Sequence, residues 1–258
     1  MAVPRRPARA ASGQHFLRSR QLAADFVADA ALARDDLVIE IGGGTGVITR
    51  ELARTGANIV VIERDPQLAD VLDALFDRNP AVEVVRADAT SYGWPEKAFT
   101  VIANLPFAGS GAILASLLRD PRLPLRSAHV IVQWEFAAKH AAVWPATLRA
   151  TYWRAWHDVS IVRRLDRTAF APRPTVDTAV LRLERRRRAR VPEDLHEAYW
   201  RFLRDGFSSQ ASVRHGLRTW VSPLQIKRLA PALGFGLASR SRDLDAEQWA
   251  QLFTFARR

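Results

Sequence analysis

Residues 36–56 read DLVIEIGGGTGVITRELARTG, an apolar run followed by a cluster of glycines and a helical pattern. The apolar run is typical of a strand that is buried on both faces. The glycines permit a tight turn in which the backbone passes close to a ligand. The N–H groups of the following helix then point outward, toward that ligand. This stretch therefore predicts a strand, a ligand-binding turn and a helix.

Strand and helix patterns alternate around this stretch. A helical pattern with Ser19 as its N-cap precedes it. The predicted strands are DLVIEI (36–41), NIVVIERD (58–65), VEVVRAD (82–88), FTVIANL (99–105) and SAHVIVQWEFA (127–137), with helical patterns between them. This alternation predicts an α/β fold with a doubly wound, mostly parallel, Rossmann-like sheet. Ligands of such sheets bind beyond the carboxyl ends of the strands.

The pattern changes near residue 191. Three amphipathic helical segments follow, without a strand pattern between them: DLHEAYWRFLRDGF, PLQIKRLAPAL and DAEQWAQLFTFA. Proline and glycine separate these segments. We therefore expect a mobile basic leader over residues 1–18, an α/β domain over residues 19–190 and a small C-terminal all-α domain over residues 191–258.

The composition excludes several classes of protein. Cysteine is absent, so disulfides and thiolate metal sites are excluded, and no metal site is expected. No apolar run approaches the roughly 20 residues of a membrane span, and the N-terminus lacks the apolar segment of a secretory signal. These features predict a cytoplasmic protein with no membrane partner.

The net charge of +11 is distributed unevenly. Residues 30–150 contain 12 basic and 14 acidic residues, whereas residues 161–258 contain 20 and 10. A slightly acidic centre between basic flanks predicts a small-molecule site bordered by surfaces for a polyanion. The candidate phosphate contacts are Arg5, Arg6, Arg9, Arg18, Arg20, Arg163, Arg164, Arg167, Arg185, Arg186, Arg187 and Arg188. The alternative is a solvated charged surface.

The glycines of the turn favour one cofactor over another. Gly42, Gly44 and Gly46 form G-x-G-x-G, whereas a dinucleotide fingerprint needs its third glycine at Val47. This spacing argues against NAD, which needs a binding site for its pyrophosphate. It favours S-adenosylmethionine, because the amino-acid part of that cofactor needs the backbone to approach closely. A purely structural glycine turn is the alternative.

Two carboxylates end the next two strands. Glu63 lies 21 residues after Gly42, where an acidic side chain accepts hydrogen bonds from both ribose hydroxyls. Asp88 ends the third strand, in position to accept from the adenine amine of the cofactor. Either carboxylate alone fits a surface or cap residue. Together, after a glycine turn, they predict one cofactor site.

The tetrapeptide NLPF, residues 104–107, ends the fourth strand. An adenine amine is a poor nucleophile because its lone pair is delocalised into the ring. The Asn104 side-chain oxygen and the Leu105 carbonyl can accept its two hydrogens. Pro106 sets the turn without adding an N–H, and Phe107 offers a face for the base. In isolation, the tetrapeptide could be an ordinary turn after a strand. Because it follows the motifs of a cofactor site in the sequence, it predicts adenine methylation.

Seven motifs, in order, resemble the rRNA adenine N6-dimethyltransferases: GQHFL (13–17), EIGGGTG (40–46), VIERD (61–65), RADA (86–89), NLPF (104–107), VQWEFA (132–137) and FAPRPTVDTAVLRL (170–183). That family includes the Erm enzymes of macrolide resistance and the KsgA-type enzymes of the small subunit. The resemblance implies cofactor contacts at His15, Leu17, Gly42, Glu63, Asp88 and Asn104. His15 stands where the family usually has Asn. Phe170 would lie over the active site beside the target base, although alone it would be assigned to the core.

Within this family the chain looks closer to Erm, because NLPF ends in Phe107 rather than Tyr and DGFSSQASVRHGL stands where KsgA-type chains usually carry RRK. The resemblance then implies N6 methylation of one adenosine in 23S rRNA, naked or in early assembly, with macrolide-lincosamide-streptogramin resistance. Residues 19–190 would be the methyltransferase domain, residues 191–258 the RNA-binding domain, and the leader would contain the start of the cofactor motif. We expect a monomer without an obligate protein partner.

Three alternatives stay open at this point. A KsgA-type 16S rRNA dimethyltransferase would share the motifs. A catalytically silent RNA-binding relative would not need the intact NLPF tetrapeptide. A DNA adenine methyltransferase would share the acceptor chemistry but would be expected to carry a larger recognition domain than this tail.

Overall fold

The computed structural model describes residues 15–209 and 212–257, which form nine strands and ten α-helices. The strands are β1 Phe16–Leu17, β2 Leu37–Ile41, β3 Asn58–Glu63, β4 Val82–Arg86, β5 Phe99–Asn104, β6 Leu125–Gln133, β7 His157–Leu165, β8 Phe170–Ala171 and β9 Thr178–Arg185. The helices are α1 Arg20–Ala28, α2 Val47–Leu52, α3 Pro66–Phe76, α4 Ser110–Leu117, α5 Trp134–Ala141, α6 Leu148–Trp153, α7 His196–Ser208, α8 Val213–Gly216, α9 Pro223–Ala232 and α10 Ala246–Ala256. Among these helices none is long and apolar enough to cross a membrane. Arg5, Arg6 and Arg9 lie outside the described residues.

Seven of the strands form one sheet in the order β4-β3-β2-β5-β6-β9-β7. The strands from β4 to β6 are parallel, and β9 is antiparallel to both of its neighbours. The chain winds outward from β2 to β4 on one side and from β5 to β6 on the other. The carboxyl ends of β2 and β5 therefore border a crevice at the switch point of the sheet. This topology confirms the predicted doubly wound, mostly parallel α/β fold.

Each face of the sheet has its own core. Ile39 and Val101 belong to the core that α4, α6 and α7 cover, whereas Val38 and Ile102 belong to the core under α1, α2 and α3. Successive strand residues point to opposite faces, so both faces draw on the same apolar runs. The cap of α1 is also as predicted, since the Ser19 hydroxyl accepts from Leu22 N at 3.2 Å.

The C-terminal helices share an aromatic core with the α/β part. Trp156 Nε1 donates to the Val191 carbonyl at 2.8 Å. The Tyr199 ring lies 5.9 Å from the Trp156 ring and 5.1 Å from the Phe253 ring. Helices α7, α9 and α10 match the three predicted helical segments. The domain boundary at residue 190 stays a prediction, because this core is continuous across it.

The far edge of the sheet differs from the prediction. The fifth predicted strand was expected to run to residue 137, but β6 ends at Gln133 and α5 takes up the following residues. The N–H of Trp134 donates to the Asp177 carbonyl at 2.8 Å, immediately before β9 begins. Strands β7 and β9 were not predicted; they follow the region of alternating strand and helix patterns and form the antiparallel edge of the sheet.

Candidate active site

The turn between β2 and α2 has left-handed backbone at Gly42, Gly44 and Gly46, with φ of 77°, 54° and 76°. Residues with a Cβ are strained in this region. A Cβ at Gly44 would also lie 3.0 Å from ring carbons of Phe16 in β1. The glycines therefore let the turn fold tightly against β1 while its backbone borders a cavity.

A cavity of about 290 Å³ lies at the carboxyl ends of β2, β3 and β5. Six predicted cofactor contacts line it: His15, Gly42, Gly44, Glu63, Asp88 and Asn104. Leu105 and Pro106 line it as well. Two predicted contacts do not, because the Leu17 side chain is buried in the core and Gly46 is the N-cap of α2.

Main-chain groups orient the Glu63 carboxylate, which is only 3% exposed. Its Oε2 accepts from Gly44 N at 3.0 Å, and its Oε1 accepts from Asp65 N at 2.9 Å. A carboxylate oxygen can accept more than one hydrogen bond, so both oxygens keep acceptor capacity. The carboxylate is therefore preset at the cavity wall and bonded to the glycine turn.

Asp88 lies on the exposed rim of the same cavity. Its Oδ1 accepts from the Thr90 hydroxyl at 2.6 Å and from Thr90 N at 2.8 Å. These two bonds hold the pKa of the Asp88 carboxyl below its usual range, and the bond from the hydroxyl has the larger effect. Asp88 is thus an ionised hydrogen-bond acceptor at neutral pH.

The NLPF tetrapeptide, residues 104–107, is named here the acceptor tetrapeptide and is held by hydrogen bonds to the segments on both sides of it. Asn104 Nδ2 donates to the His15 carbonyl at 2.8 Å, and this bond leaves the Asn104 side-chain oxygen as a hydrogen-bond acceptor. Leu105 N donates to Ile131 in β6 at 3.1 Å. The Pro106 carbonyl accepts from two main-chain N–H groups at the start of α4, each at 3.0 Å. The tetrapeptide therefore leads directly from β5 into α4 in one conformation.

The His15 imidazole connects three parts of the site. Its Nδ1 donates to the Pro172 carbonyl at 2.7 Å, and its ring lies 4.8 Å from the Phe107 ring. The His15 carbonyl also accepts from Asn104. Sequence analysis singled out His15 for a cofactor contact, whereas these ring contacts come from the tertiary structure. The imidazole ties β1 to the acceptor tetrapeptide and to the segment after β8.

Phe170 differs from the prediction that it lies over the active site. Its side chain is 2% exposed and packs in the core beneath α1 and α2. In the two-stranded β1–β8 sheet it pairs with Leu17, which is also buried. Burial against Leu17 removes both apolar side chains from water, so no face of Phe170 is open to a base. Phe107, which is half-buried, is the aromatic residue of the acceptor tetrapeptide.

Glu40 is a buried carboxyl next to the glycine turn that sequence analysis did not single out. It lies in β2, two residues before Gly42, is 1% exposed and does not line the cavity; the side chain and main chain of Thr49 in α2 are the polar groups that face its carboxyl. Burial raises the pKa of Glu40 to about 8, and the Glu63 carboxylate adds to this rise. Its signal in the sequence is one charged residue in an apolar strand. Glu40 is therefore a buried carboxyl between β2 and α2, behind the glycine turn rather than in the wall of the cavity.

We expect Glu40→Gln to change the pH dependence of stability. The unfolded glutamate ionises near pH 4.5, whereas the folded one keeps its proton up to about pH 8. The wild type therefore loses stability as the pH rises from 4.5 to 8, by up to about 1.4 kcal/mol per pH unit. Glutamine does not titrate, so the stability of Glu40→Gln relative to wild type should increase over this range.

Denaturant unfolding at pH 5, 6, 7 and 8 measures this effect. Glu83→Gln, on an exposed position of β4, is the control and should follow the wild-type profile. Parallel profiles for Glu40→Gln and wild type would contradict a buried neutral carboxyl.

Six of the nine predicted phosphate contacts that the structure describes are held in ion pairs. These pairs are Arg20–Glu51, Arg163–Asp29, Arg164–Asp177, Arg167–Asp177, Arg185–Glu193 and Arg186–Asp158. Arg18, Arg187 and Arg188 are exposed and form no ion pair within the described ranges. The predicted set therefore divides into arginines that join elements of the fold and arginines that are available to a ligand.

The predicted arginines also lie at opposite ends of the sheet. Strand β9 runs antiparallel to β6, so Thr178 lies at the cavity end and Arg185 at the other end. Seven residue steps of a strand separate them by roughly 23 Å. Arg163, Arg164 and Arg167 are at the cavity end, where β7 pairs with the start of β9. The Arg185–Arg188 run is therefore remote from the cavity.

Known proteins resemble this chain over almost its whole length. The ribosomal RNA adenine dimethylase family matches residues 6–257. An rRNA adenine N-6-methyltransferase of Bacillus licheniformis is 26% identical over 244 residues, which are 94% of this chain and 85% of that protein. A ribosomal RNA small subunit methyltransferase A of Geobacillus thermodenitrificans is 31% identical over 264 residues, covering 93% and 88% of the two chains. The crystal structure of the 23S rRNA methyltransferase ErmE has a TM-score of 0.81 at 27% identity, with 94% of this chain and 100% of that chain covered.

These comparisons confirm the predicted family, fold class and cofactor. The glycine turn, the preset Glu63 carboxylate and the ionised Asp88 carboxylate fit S-adenosylmethionine, a ligand with polar groups along its length. The chain belongs to the ribosomal RNA adenine dimethylase family and is an S-adenosylmethionine-dependent rRNA adenine N6-methyltransferase.

Proposed function

We propose that this enzyme methylates N6 of a specific adenosine in 23S rRNA and thereby confers resistance of the macrolide-lincosamide-streptogramin type. The hydrogen bond from Asn104 Nδ2 to His15 carries the proposal, because it leaves the Asn104 oxygen as an acceptor beside the cofactor cavity. Similarity to the 23S enzyme ErmE over 94% of the chain supports the large-subunit substrate. Phe107 at the end of the acceptor tetrapeptide, common in Erm proteins, supports it as well.

The acceptor tetrapeptide prepares the amine for reaction. The Asn104 oxygen and the Leu105 carbonyl accept the two N6 hydrogens, which favours a tetrahedral nitrogen with a directed lone pair. Phe107 stacks on the adenine ring. The His15 ring, whose centroid lies 4.8 Å from that of Phe107, holds Phe107 in place. S-adenosylmethionine supplies an electrophilic methyl group on a positively charged sulfur. The methylated nitrogen is itself positively charged and releases its proton readily, so a strong general base is unnecessary.

The cavity residues hold the cofactor in this proposal. Glu63 accepts from the ribose hydroxyls and Asp88 accepts from the adenine amine. The main chain of the glycine turn and His15, which lies immediately before β1, border the amino-acid part. Gly46 and Leu17 support these contacts from outside the cavity, Gly46 as the N-cap of α2 and Leu17 from the core. Phe107, rather than the buried Phe170, contacts the target base.

The remaining proposals concern the RNA and the state of the protein. The phosphate contacts come from Arg18, Arg187 and Arg188. Because these three arginines form no ion pair among the described residues, they bind phosphate without breaking a salt bridge. Residues 19–190 are the methyltransferase domain and residues 191–258 the RNA-binding domain. The enzyme acts in the cytoplasm as a monomer without an obligate protein partner, on naked or early-assembly 23S rRNA.

The test incubates the protein with labelled S-adenosylmethionine and naked 23S rRNA, 16S rRNA or DNA. We expect label only in 23S rRNA, at one adenosine that modification-stop mapping identifies. Mass analysis of the nucleoside then distinguishes one methyl from two. Label only in 16S rRNA would replace the proposal with a KsgA-type function, which the 31% identity to a small-subunit enzyme favours. Label in none of the three nucleic acids would indicate a silent relative.

A further inference from the structure

A second cavity, of about 660 Å³, lies between α4, α6 and α7 and is named here the α4–α7 cleft. Its lining combines aromatic and basic side chains, chiefly Arg119, Arg149, Tyr152, Trp153, Trp200 and Arg201. We propose that the α4–α7 cleft binds an unpaired nucleotide of the rRNA substrate, with its base against Trp200 and its phosphates at the three arginines. This inference rests on the proposed function only in that the substrate is an RNA.

Trp200 provides the surface for the base. It is 36% exposed, one of the few large apolar side chains in the described residues that is open to solvent. The Tyr152 ring meets it at 5.1 Å in a T-shaped contact, which fixes the indole without covering it. An aromatic ring held beside basic groups is typical of sites for single-stranded nucleic acid.

The floor of the α4–α7 cleft is rigid. Tyr152 and Trp153 are 4% and 3% exposed, so the core holds both rings. The Tyr152 hydroxyl donates to the Arg119 carbonyl at 2.7 Å and lies 3.4 Å from His196 Nδ1. A site that is already ordered loses little conformational freedom when a ligand binds.

The arginines of the cleft are free to bind phosphate. Arg119, Arg149 and Arg201 are exposed, and none pairs with a carboxylate in the part of the chain that the structure describes. This distinguishes them from the paired arginines of β7 and β9. Glu197 also lines the cleft, and the nearby Asp120 is bonded to Arg122 at 2.6 Å. The lining therefore keeps a net positive charge that complements a phosphate backbone.

The position of the cleft allows one RNA strand to reach both sites. Helix α4 begins three residues after Phe107 and extends about 10 Å toward the cleft. Arg149 lies between the two sites, with its Nη1 donating to the Gly111 carbonyl at 3.5 Å. An RNA whose target adenosine is at Asn104 can thus place a neighbouring unpaired nucleotide in the cleft. A nucleotide has both a base and a phosphate, so it matches both the aromatic and the basic side chains that line the cleft.

The experiment compares two cleft variants with a charge-matched control. The cleft variants are Trp200→Leu and the double variant Arg119→Gln/Arg201→Gln. The control is Arg34→Gln/Arg78→Gln, which removes two exposed arginines outside both the cleft and the C-terminal helical region. Filter binding over a series of salt concentrations gives the RNA Kd, and labelled S-adenosylmethionine gives kcat and KM for each transcript.

We expect Trp200→Leu to raise the RNA Kd and KM at least about fivefold, the lower end for base–aromatic stacking, with kcat unchanged. The double variant should weaken binding and reduce the slope of log Kd against log salt by about 1.4, or about 0.7 for each phosphate contact. The affinity for S-adenosylmethionine should equal that of wild type in all variants, and the control should bind RNA as wild type does.

Wild-type RNA affinity, salt slope and KM in both cleft variants would overturn the inference. An equal loss in the control and in the double variant would also overturn it, because the effect would then be one of net charge. Both 23S and 16S transcripts are used, and the one that wild type methylates serves as the substrate. Methylation of 16S rRNA alone would therefore reject the proposed 23S specificity while still testing the cleft.

Discussion

Asn104→Ala should lower kcat for methyl transfer by about 10²- to 10³-fold, the range measured when one preorganised hydrogen-bonding group is removed from an active site. The variant loses the side-chain oxygen that accepts from the adenine amine. It also loses the bond from Nδ2 to the His15 carbonyl, which sets the direction of that oxygen. Affinity for S-adenosylmethionine should change little, because the glycine turn and both carboxylates are untouched.

Single-turnover transfer of label to rRNA measures this effect, and calorimetric titration measures cofactor binding. Asn58→Ala is the matched control, because Asn58 begins β3 at the opposite end of the sheet and is exposed. Near-wild-type turnover by Asn104→Ala would contradict the role of its oxygen. Loss of cofactor binding in the same variant would instead make the cofactor contact implied for Asn104 its main role.

Glu63→Ala should weaken S-adenosylmethionine binding by about 10- to 150-fold, which corresponds to about 1.5–3 kcal/mol for hydrogen bonds to a charged group. The carboxylate is buried and bonded to Gly44 N and Asp65 N, so its removal also leaves two main-chain donors without their acceptor. The glycine turn then loses the contact that fixes it against β3. The effect should therefore appear in the cofactor Kd.

Calorimetric titration with S-adenosylmethionine checks this prediction. Glu83→Ala, on the neighbouring strand β4, is exposed and is the matched control. At saturating cofactor, Glu63→Ala should recover most of its kcat, whereas Asn104→Ala should not. An unchanged Kd in Glu63→Ala would exclude the proposed ribose contact.

The cofactor side of the site could be predicted because its signals are local. Left-handed backbone at Gly42 and Gly44 is a property of single residues. Glu63 and Asp88 follow apolar strand patterns, and the carboxyl ends of parallel strands meet at one edge of a sheet. Predicting the strands therefore also predicted that these groups would lie together around one cavity.

Other parts of the site could not be predicted because they depend on distant partners. Phe170 is in the core rather than at the site because β1 and β8 pair Leu17 with it across more than 150 residues. The ring contacts of His15 with Phe107 and Pro172 depend on the same pairing. Glu40, behind the glycine turn, was missed because a pattern of apolar residues does not show how completely its one charged member is buried.

The order of apolar runs, glycines and carboxylates was sufficient to predict the parallel sheet and the S-adenosylmethionine site, since each signal acts over a few neighbouring residues. The family was predicted from the resemblance of seven ordered motifs. The availability of the arginines depended instead on the three-dimensional arrangement. Arg163 bonds to Asp29, 134 residues away in the chain, whereas the arginines of the α4–α7 cleft have no carboxylate partner among the described residues. Every arginine carries the same charge, so the sequence does not show which of them are ion-paired. Only the packing of the elements brings a carboxylate to some of them and leaves others facing a cavity.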